Sequence, residues 1–382
     1  MAEKLYYIDS YIKDFVAVVK SCVYDGERWC VELDKTAFFP EGGGQAADSG
    51  YIGNVRVFDV QEKAGKIHHY TESEIVEGEY SCSIDWEQRF RRMQNHSGEH
   101  IVSGLINKRF GYDNVGFHLA EDYVTLDFNG ELTAEDIADI EFAANKAVWE
   151  NVRIYAVFPE PEMLDSINYR SKLELTEDVR IVTVEGYDVC ACCAPHVRRT
   201  GEIGIIKIID HMKHRGGVRL TMLCGSDAYK DYARKQESAA EISALLSAKR
   251  DDIATAVKKF YNDLQNEKYQ TAELKKSILK AESEKLTAID GNYCFFYPAA
   301  FDINSLRTLV NEAMKLCSGV AAAFSGSDET GYNYVMGSAN IDLRAKSKEI
   351  NAAISGRGGG SPEMIQGSAK AVRATLEDYF KN

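Results

Sequence analysis

Asn95-His-Ser-Gly-Glu-His100 and its distant counterpart Cys190-Ala-Cys-Cys-Ala-Pro-His196 are the stretches around which the rest of the chain is organised. On a helix, His96 and His100 stand one turn apart on one face, so two imidazoles can share one metal ion. Cys192 and His196 repeat the four-residue offset, with Pro195 marking a bend or a helix start. Three imidazoles and a thiolate suit Zn2+, a borderline-soft ion that takes nitrogen and sulfur ligands in a tetrahedron. Cys190 and Cys193 are close enough to compete as the sulfur ligand, and only the matching spacing favours Cys192. Two segments about a hundred residues apart must then meet at one ion.

Working outward, Arg89, Arg91 and Arg92 lead into the histidine stretch, and Lys108 and Arg109 follow it. Between Val197 and Arg219 six Lys or Arg face two acids, Glu202 and Asp210. Positive charge on both sides of a candidate metal site fits a phosphate-bearing substrate, with Arg92 and Arg219 as candidate contacts. The chain as a whole carries a net charge of −14, which argues against unselective coating of nucleic acid. Glu99 is expected on the exposed surface of the helix.

Residues 1–88 read as strands and tight turns, with strands at Trp29–Leu33 and Val55–Val60. Inside this region lies Thr36-Ala-Phe-Phe-Pro-Glu-Gly-Gly-Gly-Gln45, whose glycines allow backbone to approach a ligand closely. Residues 89–226 mix helix and strand. Alternation predicts strands at Tyr123–Phe128, Arg153–Phe158, Val179–Val184, Ile203–Ile209 and Val218–Leu223. Thr133 and Asp136 form a capping box ahead of a stripe of Ile137, Ile140, Ala144 and Val148. Residues 227–290 are polar and nearly free of Gly and Pro. Ile253, Val257, Phe260, Leu264, Leu274 and Ile278 mark an imperfect heptad seam there, expected to form a helical hairpin or coiled coil. Residues 291–382 read as a separate α/β module, with strands at Tyr293–Tyr297 and Val320–Phe324. Helices are expected at Ser305–Lys315 and Ala369–Phe380, and Gly356-Arg-Gly-Gly-Gly360 as a linker or an anion cradle. The predicted class is α+β: a β-barrel-like N-terminal subdomain, a two-layer α/β domain, a helical coiled-coil or hairpin segment and a C-terminal α/β module.

At 382 residues, 45% hydrophobic and 27% charged, the chain has room for two or three domains with sizeable cores. Nine cysteines are an odd number and too few for a disulfide framework, which fits reduced thiols and a cytoplasmic setting. Phe15–Val19 is too short for the core of a signal peptide, and no apolar run can span a bilayer. No membrane association is expected.

Thr36-x-Phe-x-x-x-Gly-Gly-Gly-Gln45, Asn-His96-x-x-x-His100, Cys192-x-x-x-His196 and Thr200-Gly-Glu-Ile203 occur in that order. Together they resemble the editing domain of alanyl-tRNA synthetase. With no aminoacylation domain ahead of it, the chain is similar to the free-standing AlaX editing proteins. Its C-terminal half looks like the long form, whose last domain is similar to the synthetase's own DHH-associated domain. The likeness is strongest over residues 34–225.

The resemblance implies zinc held by His96, His100, Cys192 and His196. It implies a pocket for the acceptor end of tRNA(Ala) lined by Gly43, Gly44 and Cys193, with Gln45 and Thr36 as the catalytic candidates. It departs at Cys193-Ala194-Pro195, where the family carries glycines. The implied reaction is zinc-dependent hydrolysis of the aminoacyl ester in Ser-tRNA(Ala) and Gly-tRNA(Ala), by a homodimer joined through its helical region. Two rivals come from other classes. His96-Ser-Gly-Glu99-His100 also satisfies His-x-x-Glu-His, the inverted zinc-peptidase signature. A structural zinc module on an RNA-binding or assembly protein would need a closed site with no pocket beside the metal.

Overall fold

The computed structural model describes residues 2–120, 122–164, 166–171 and 179–381. They form two compact units that divide between Glu241 and Ile242. The class is mixed α+β.

The first unit begins with six strands hydrogen-bonded in a closed ring, in the order Asp14–Tyr24, Trp29–Leu33, Lys66–Thr71, Val55–Lys63, Gly50–Ile52 and Gly78–Ile84. Alternation places Ala17, Val19, Val31, Leu33, Val57, Val60 and Ile67 in its core, where Phe38 and Phe39 join them. The ring leads directly into the helix Trp86–Phe110. That helix ends at Gly111, whose φ of 71° is left-handed and whose N–H donates to Asn107, the usual glycine stop.

Beyond it stands a four-stranded antiparallel sheet in the order Ile206–His214, Gly217–Cys224, Val124–Phe128 and Asn114–Leu119. A smaller sheet carries Ile154–Val157, Ile181–Val184 and Asp188–Ala191. The helix Ala134–Glu150 keeps the expected capping box and buries Ile137, Ile140, Ala144 and Val148. The histidine helix is covered so closely that two of its residues must be glycine. A Cβ on Gly98 would stand 2.4 Å from Cys224 Sγ, and one on Gly104 would stand 2.5 Å from Tyr187 O. The helix Gly225–Leu245 closes the unit, with Gly225, Ala228 and Asp231 buried.

The second unit opens with the long helix Ile253–Ser283, of which only Leu279 is buried. Val257, Phe260, Leu264, Leu274 and Ile278 of the seam are exposed. A five-stranded mixed sheet comes next, in the order Tyr293–Tyr297, Ala321–Ser327, Gly331–Gly337, Met364–Ala369 and Gly356–Gly360, with helices Ile303–Ala313, Leu343–Ala353 and Arg373–Lys381. Two expectations are corrected here. Gly356–Gly360 is neither linker nor cradle but an edge strand. Glycine is needed at Gly358, where a Cβ would meet Tyr334 Oη at 2.2 Å. The last helix starts at Arg373 rather than Ala369, because Met364–Ala369 is drawn into the sheet beside Gly331–Gly337.

Candidate metal centre

His96 and His100 project from one face of the buried helix, with ring centroids 5.5 Å apart. Cys192 and His196 reach the same point from a loop, not a helix. The strand ends at Ala191, and side-chain clamps shape the turn beyond it. Arg180 Nη1 donates to the carbonyls of Cys192 and Ala194 at 2.9 Å each, and Ser10 Oγ donates to His196 O at 2.9 Å. Of the bend and the helix start that Pro195 left open, the chain takes the bend.

One ligand atom from each of the four residues falls within 4.8 Å of all the others. Cys192 Sγ lies 3.5 Å from His96 Nε2 and 3.4 Å from His196 Nε2. A tetrahedron with zinc bonds of about 2.0–2.3 Å has edges of roughly 3.3–3.6 Å, so these donors already stand near the separation the ion needs. Each imidazole is held from behind through Nδ1. Gln45 Oε1 lies 3.0 Å from His96, Asp188 Oδ2 2.9 Å from His100, and Ser97 Oγ 3.0 Å from His196. Such partners fix the tautomer with Nδ1–H donating outward, which turns every Nε2 lone pair inward. Arg170 in turn grips Asp188 through Nε at 2.7 Å and Nη2 at 2.9 Å. The chemistry of this donor set fits zinc.

The three neighbouring cysteines separate electrostatically. Burial works against the Cys192 thiolate, yet His96, His196 and His100 outweigh it and hold the group well below the ordinary thiol range. Burial pushes Cys190 and Cys193 up to about 11, so both favour the thiol.

The glycine loop meets the cluster from the barrel side. Gly42 and Gln45 exchange N–H···O bonds of 3.0 Å across a tight turn whose central residues, Gly43 and Gly44, have φ of 60° and 81°. Both left-handed positions favour glycine, and space demands it too. A Cβ on Gly43 would approach Cys193 Sγ at 3.3 Å, and one on Gly44 would approach the Phe117 ring at 2.6 Å. The turn thus sits between Cys193 and Phe117, and the Phe117 ring lies 4.7 Å from that of His96. Gln45 hangs beneath it. Its Oε1 is taken by His96, while its buried Nε2 has no partner among the described residues. A buried amide donor without an acceptor is costly unless a ligand supplies one.

Thr36 stands one layer back, fully buried. Its Oγ1 is 2.8 Å from His69 Nε2 and accepts from Phe38 N at 3.1 Å. His69 Nδ1 is 3.1 Å from Val31 O, so Nδ1 carries the proton and Thr36 donates to Nε2. The two candidate arginines are engaged within the protein. Arg92 is buried and donates to Ala47 O at 2.6 Å, beside Asp48. Arg219 makes a two-pronged pair with Asp127 on the adjoining strand, at 2.6 and 2.7 Å. Arg198, Lys207 and Lys213 pair with Asp9, Glu141 and Glu131.

Glu99 overturns its expectation. It is 3% exposed, because strand Asn114–Leu119 covers that flank of the helix. Sequence reasoning also missed Asp188, Ser97, Arg170 and the buried pair of Arg89 with Asp48. No spacing rule signals such partners, although an Asp four residues before the ligand cysteine was there to be read.

Residues 179–221 match the family model described as the threonyl and alanyl tRNA synthetase second additional domain. The alanyl-tRNA editing protein AlaX-L of Pyrococcus horikoshii is 28% identical over 100% of this chain and 97% of its own length. An alanine–tRNA ligase of Ignicoccus hospitalis is 34% identical over 75% of this chain, which spans only 33% of the ligase. The alanyl-tRNA editing protein Aarsd1 of Mus musculus is 30% identical over 66% of each chain. The crystal structure of the C-Ala domain from Aquifex aeolicus alanyl-tRNA synthetase aligns with 25% of this chain at 16% identity and a TM-score of 0.21, a likeness too slight to carry an argument.

Proposed function

This chain belongs to the family of AlaX-type alanyl-tRNA editing proteins, and from that premise we propose that it hydrolyses the ester joining serine or glycine to the 3′ end of tRNA(Ala). The observation that carries this is the pairing of four metal donors with an amide beside them, Gln45 Nε2, that has no partner among the described residues. The need for such a reaction is energetic. A synthetase pocket for alanine separates glycine or serine by only about 1–3 kcal/mol, so a second, hydrolytic site must supply the remaining discrimination.

His96, His100, Cys192 and His196 would hold zinc, which when bound would supply Lewis-acid polarisation or a fixed anchor for the aminoacyl group. Gln45 is tethered to His96 and offers Nε2 to the carbonyl oxygen as negative charge develops there. Gly43, Gly44 and Cys193 shape the wall against which the aminoacyl group rests. Thr36 acts from behind, fixing Phe38 at the root of the loop. Arg92 steadies Ala47 near Gln45, and half-exposed Arg219 faces the RNA only alongside Asp127.

Residues 1–88 and 89–226 carry the chemistry in this scheme, and 227–290 and 291–382 add affinity for tRNA. The exposed seam of Ile253–Ser283 is the face by which two copies pair. All nine cysteines are free, as in a reducing cytoplasm, and no helix among the described residues is long and apolar enough to cross a membrane.

Incubating the protein with Ser-, Gly- and Ala-tRNA(Ala), with and without chelator, tests the assignment. Seryl or glycyl ester should be lost at least about tenfold faster than alanyl ester, and chelation should stop the loss. Equal loss of all three esters, or indifference to chelator, would overturn it.

A further inference from the structure

We propose that Arg180 is the positioning residue that selects Cys192 over its neighbour Cys193 as the sulfur ligand; the inference rests on the four-donor metal centre of the proposed function. Arg180 stands directly before the strand Ile181–Val184, which pairs with Asp188–Ala191 in a register that sets Ile181 against Ala191 and Val182 against Cys190. The ladder runs one bond further, with Cys192 N donating to Arg180 O at 3.0 Å. There the backbone pairing ends and the Arg180 side chain takes over. A single nitrogen, Nη1, donates at 2.9 Å to the carbonyls of both Cys192 and Ala194. Cys192 is thus held at its N–H and at its C=O by one residue. Cys190 lies within the ladder and is fixed by the sheet. Cys192 and Cys193 lie beyond it, where the loop decides which of them faces the histidines.

Two carbonyls that are two residues apart can meet one donor only if the chain curls between them, which puts residue 193 at the bend. Neighbouring side chains leave such a curl in different directions. Cys192 Sγ lies 3.5 Å from His96 Nε2 and 3.4 Å from His196 Nε2. Cys193 Sγ lies instead against the glycine turn, 3.3 Å from where a Cβ on Gly43 would stand. The far end of the loop is held separately, by Ser10 Oγ donating to His196 O at 2.9 Å. With both ends fixed, the Arg180 bonds are what set the peptide planes at Cys192 and Ala194, and a rotation of those planes would exchange the two thiols.

Arg180 is 9% exposed, and no carboxylate pairs with it among the described residues. Its guanidinium lies 5.2 Å from the centre of the Tyr7 ring. A cation buried without an anion is expensive, and the side-chain hydrogen bonds that offset it go to the ligand loop. Charge and reach can be separated by substitution. Lysine keeps the charge but ends one bond short of Nη1, and methionine keeps the apolar bulk without either.

Zinc has a filled d shell and no visible spectrum, so the test loads the full chain with Co2+ and follows sulfur-to-cobalt absorption, cobalt affinity and melting temperature. In the wild-type background Cys193→Ala should change cobalt affinity by no more than about twofold and leave the sulfur band intact. Arg180→Met should lower affinity about 10–100-fold. In that background Cys193→Ala should remove at least about fivefold more and weaken the band further, because Cys193 then shares the ligand role. Arg180→Lys should behave like Arg180→Met. A Cys193→Ala effect of the same size in both backgrounds would overturn the proposal. So would wild-type affinity in Arg180→Lys, which would make Arg180 a charge balancing the thiolate. Should Arg180→Met fail to fold, the same pair of measurements in Arg180→Lys decides: coupling to Cys193 supports selection, and additivity removes it. A wild-type chain that takes up no cobalt or zinc would instead sink the metal centre itself.

Discussion

The helices Trp86–Phe110 and Ile253–Ser283 are both long and rich in polar residues, yet the first is buried through its central turns and the second buries only Leu279. The second has the better apolar periodicity in sequence. Periodicity shows which face of a helix can be covered but not whether anything covers it. In the first helix Arg89, Gln94, Asn95, Ser97, Glu99 and His100 have all been taken from water. Each has a partner from another part of the first unit: Asp48, Glu202 O, Asp227, His196, Asn114 and Asp188. Burying that many polar groups is tolerable only when every one is matched, so a fully covered polar helix marks a place where chemistry has been given priority over simple packing.

The contrast breaks most visibly at the ligands. His96→Ala or Cys192→Ala should abolish stoichiometric zinc and lower deacylation about a thousandfold or more, since a bound metal supplies several kcal/mol. Cys190→Ala and Cys193→Ala should keep the metal, as metal analysis of the four proteins will show.

Next in size, Arg89→Met strands the Asp48 carboxylate in the interior and removes donors from Ser10 O and Ala37 O. A loss of about 3–5 kcal/mol in urea unfolding is expected.

The buried polar groups should also make the first unit acid-sensitive. Burial lowers His69 from 6.5 to about 4, so between those values the unfolded chain takes up a proton that the native one refuses. Stability present above pH 6.5 is therefore lost as pH falls toward 4, by on the order of 3 kcal/mol from this group. Comparing unfolding of wild type and His69→Gln across that window, in chelator-treated protein, isolates the contribution.

Asp188→Asn should weaken zinc binding about 10–100-fold in a competition titration, because it leaves His100 without its anionic partner. At the small end, Phe260→Ser on the long helix should change the stability of dilute protein by no more than about 0.5 kcal/mol. An effect that grows with protein concentration would show that a second copy covers the seam, and would narrow the contrast between the two helices.

Legibility in the sequence divides along the same line. The histidine pair, the capping box at Thr133 and strands such as Trp29–Leu33 and Tyr293–Tyr297 depend on local spacing and appear where expected. Of the bend and the helix start that Pro195 left open, the structure has the bend, a loop held by hydrogen bonds from Arg180 and Ser10. Glu99 runs against its expected exposure because a charged residue in sequence looks solvated until its partner is known, and Asn114 lies 15 positions away; the partners of Arg92 and Arg219, Ala47 and Asp127, are more distant still. The strand Gly356–Gly360 was hidden because Gly358 answers to Tyr334 on another strand, and Gly356 and Gly360 to the backbone of the neighbouring strand, not to any preference of their own.

The link between Arg89 and the loop at Ala37 and Asp48 has a consequence for motion. It ties the segment carrying Gln45 to the helix carrying His96 through charge that cannot be exposed cheaply. Opening the barrel side alone would leave that charge unpaired, so the glycine turn and the ligand helix should fluctuate, and melt, as one cooperative block. A ligand at such a site then meets a fixed aperture and must conform to it.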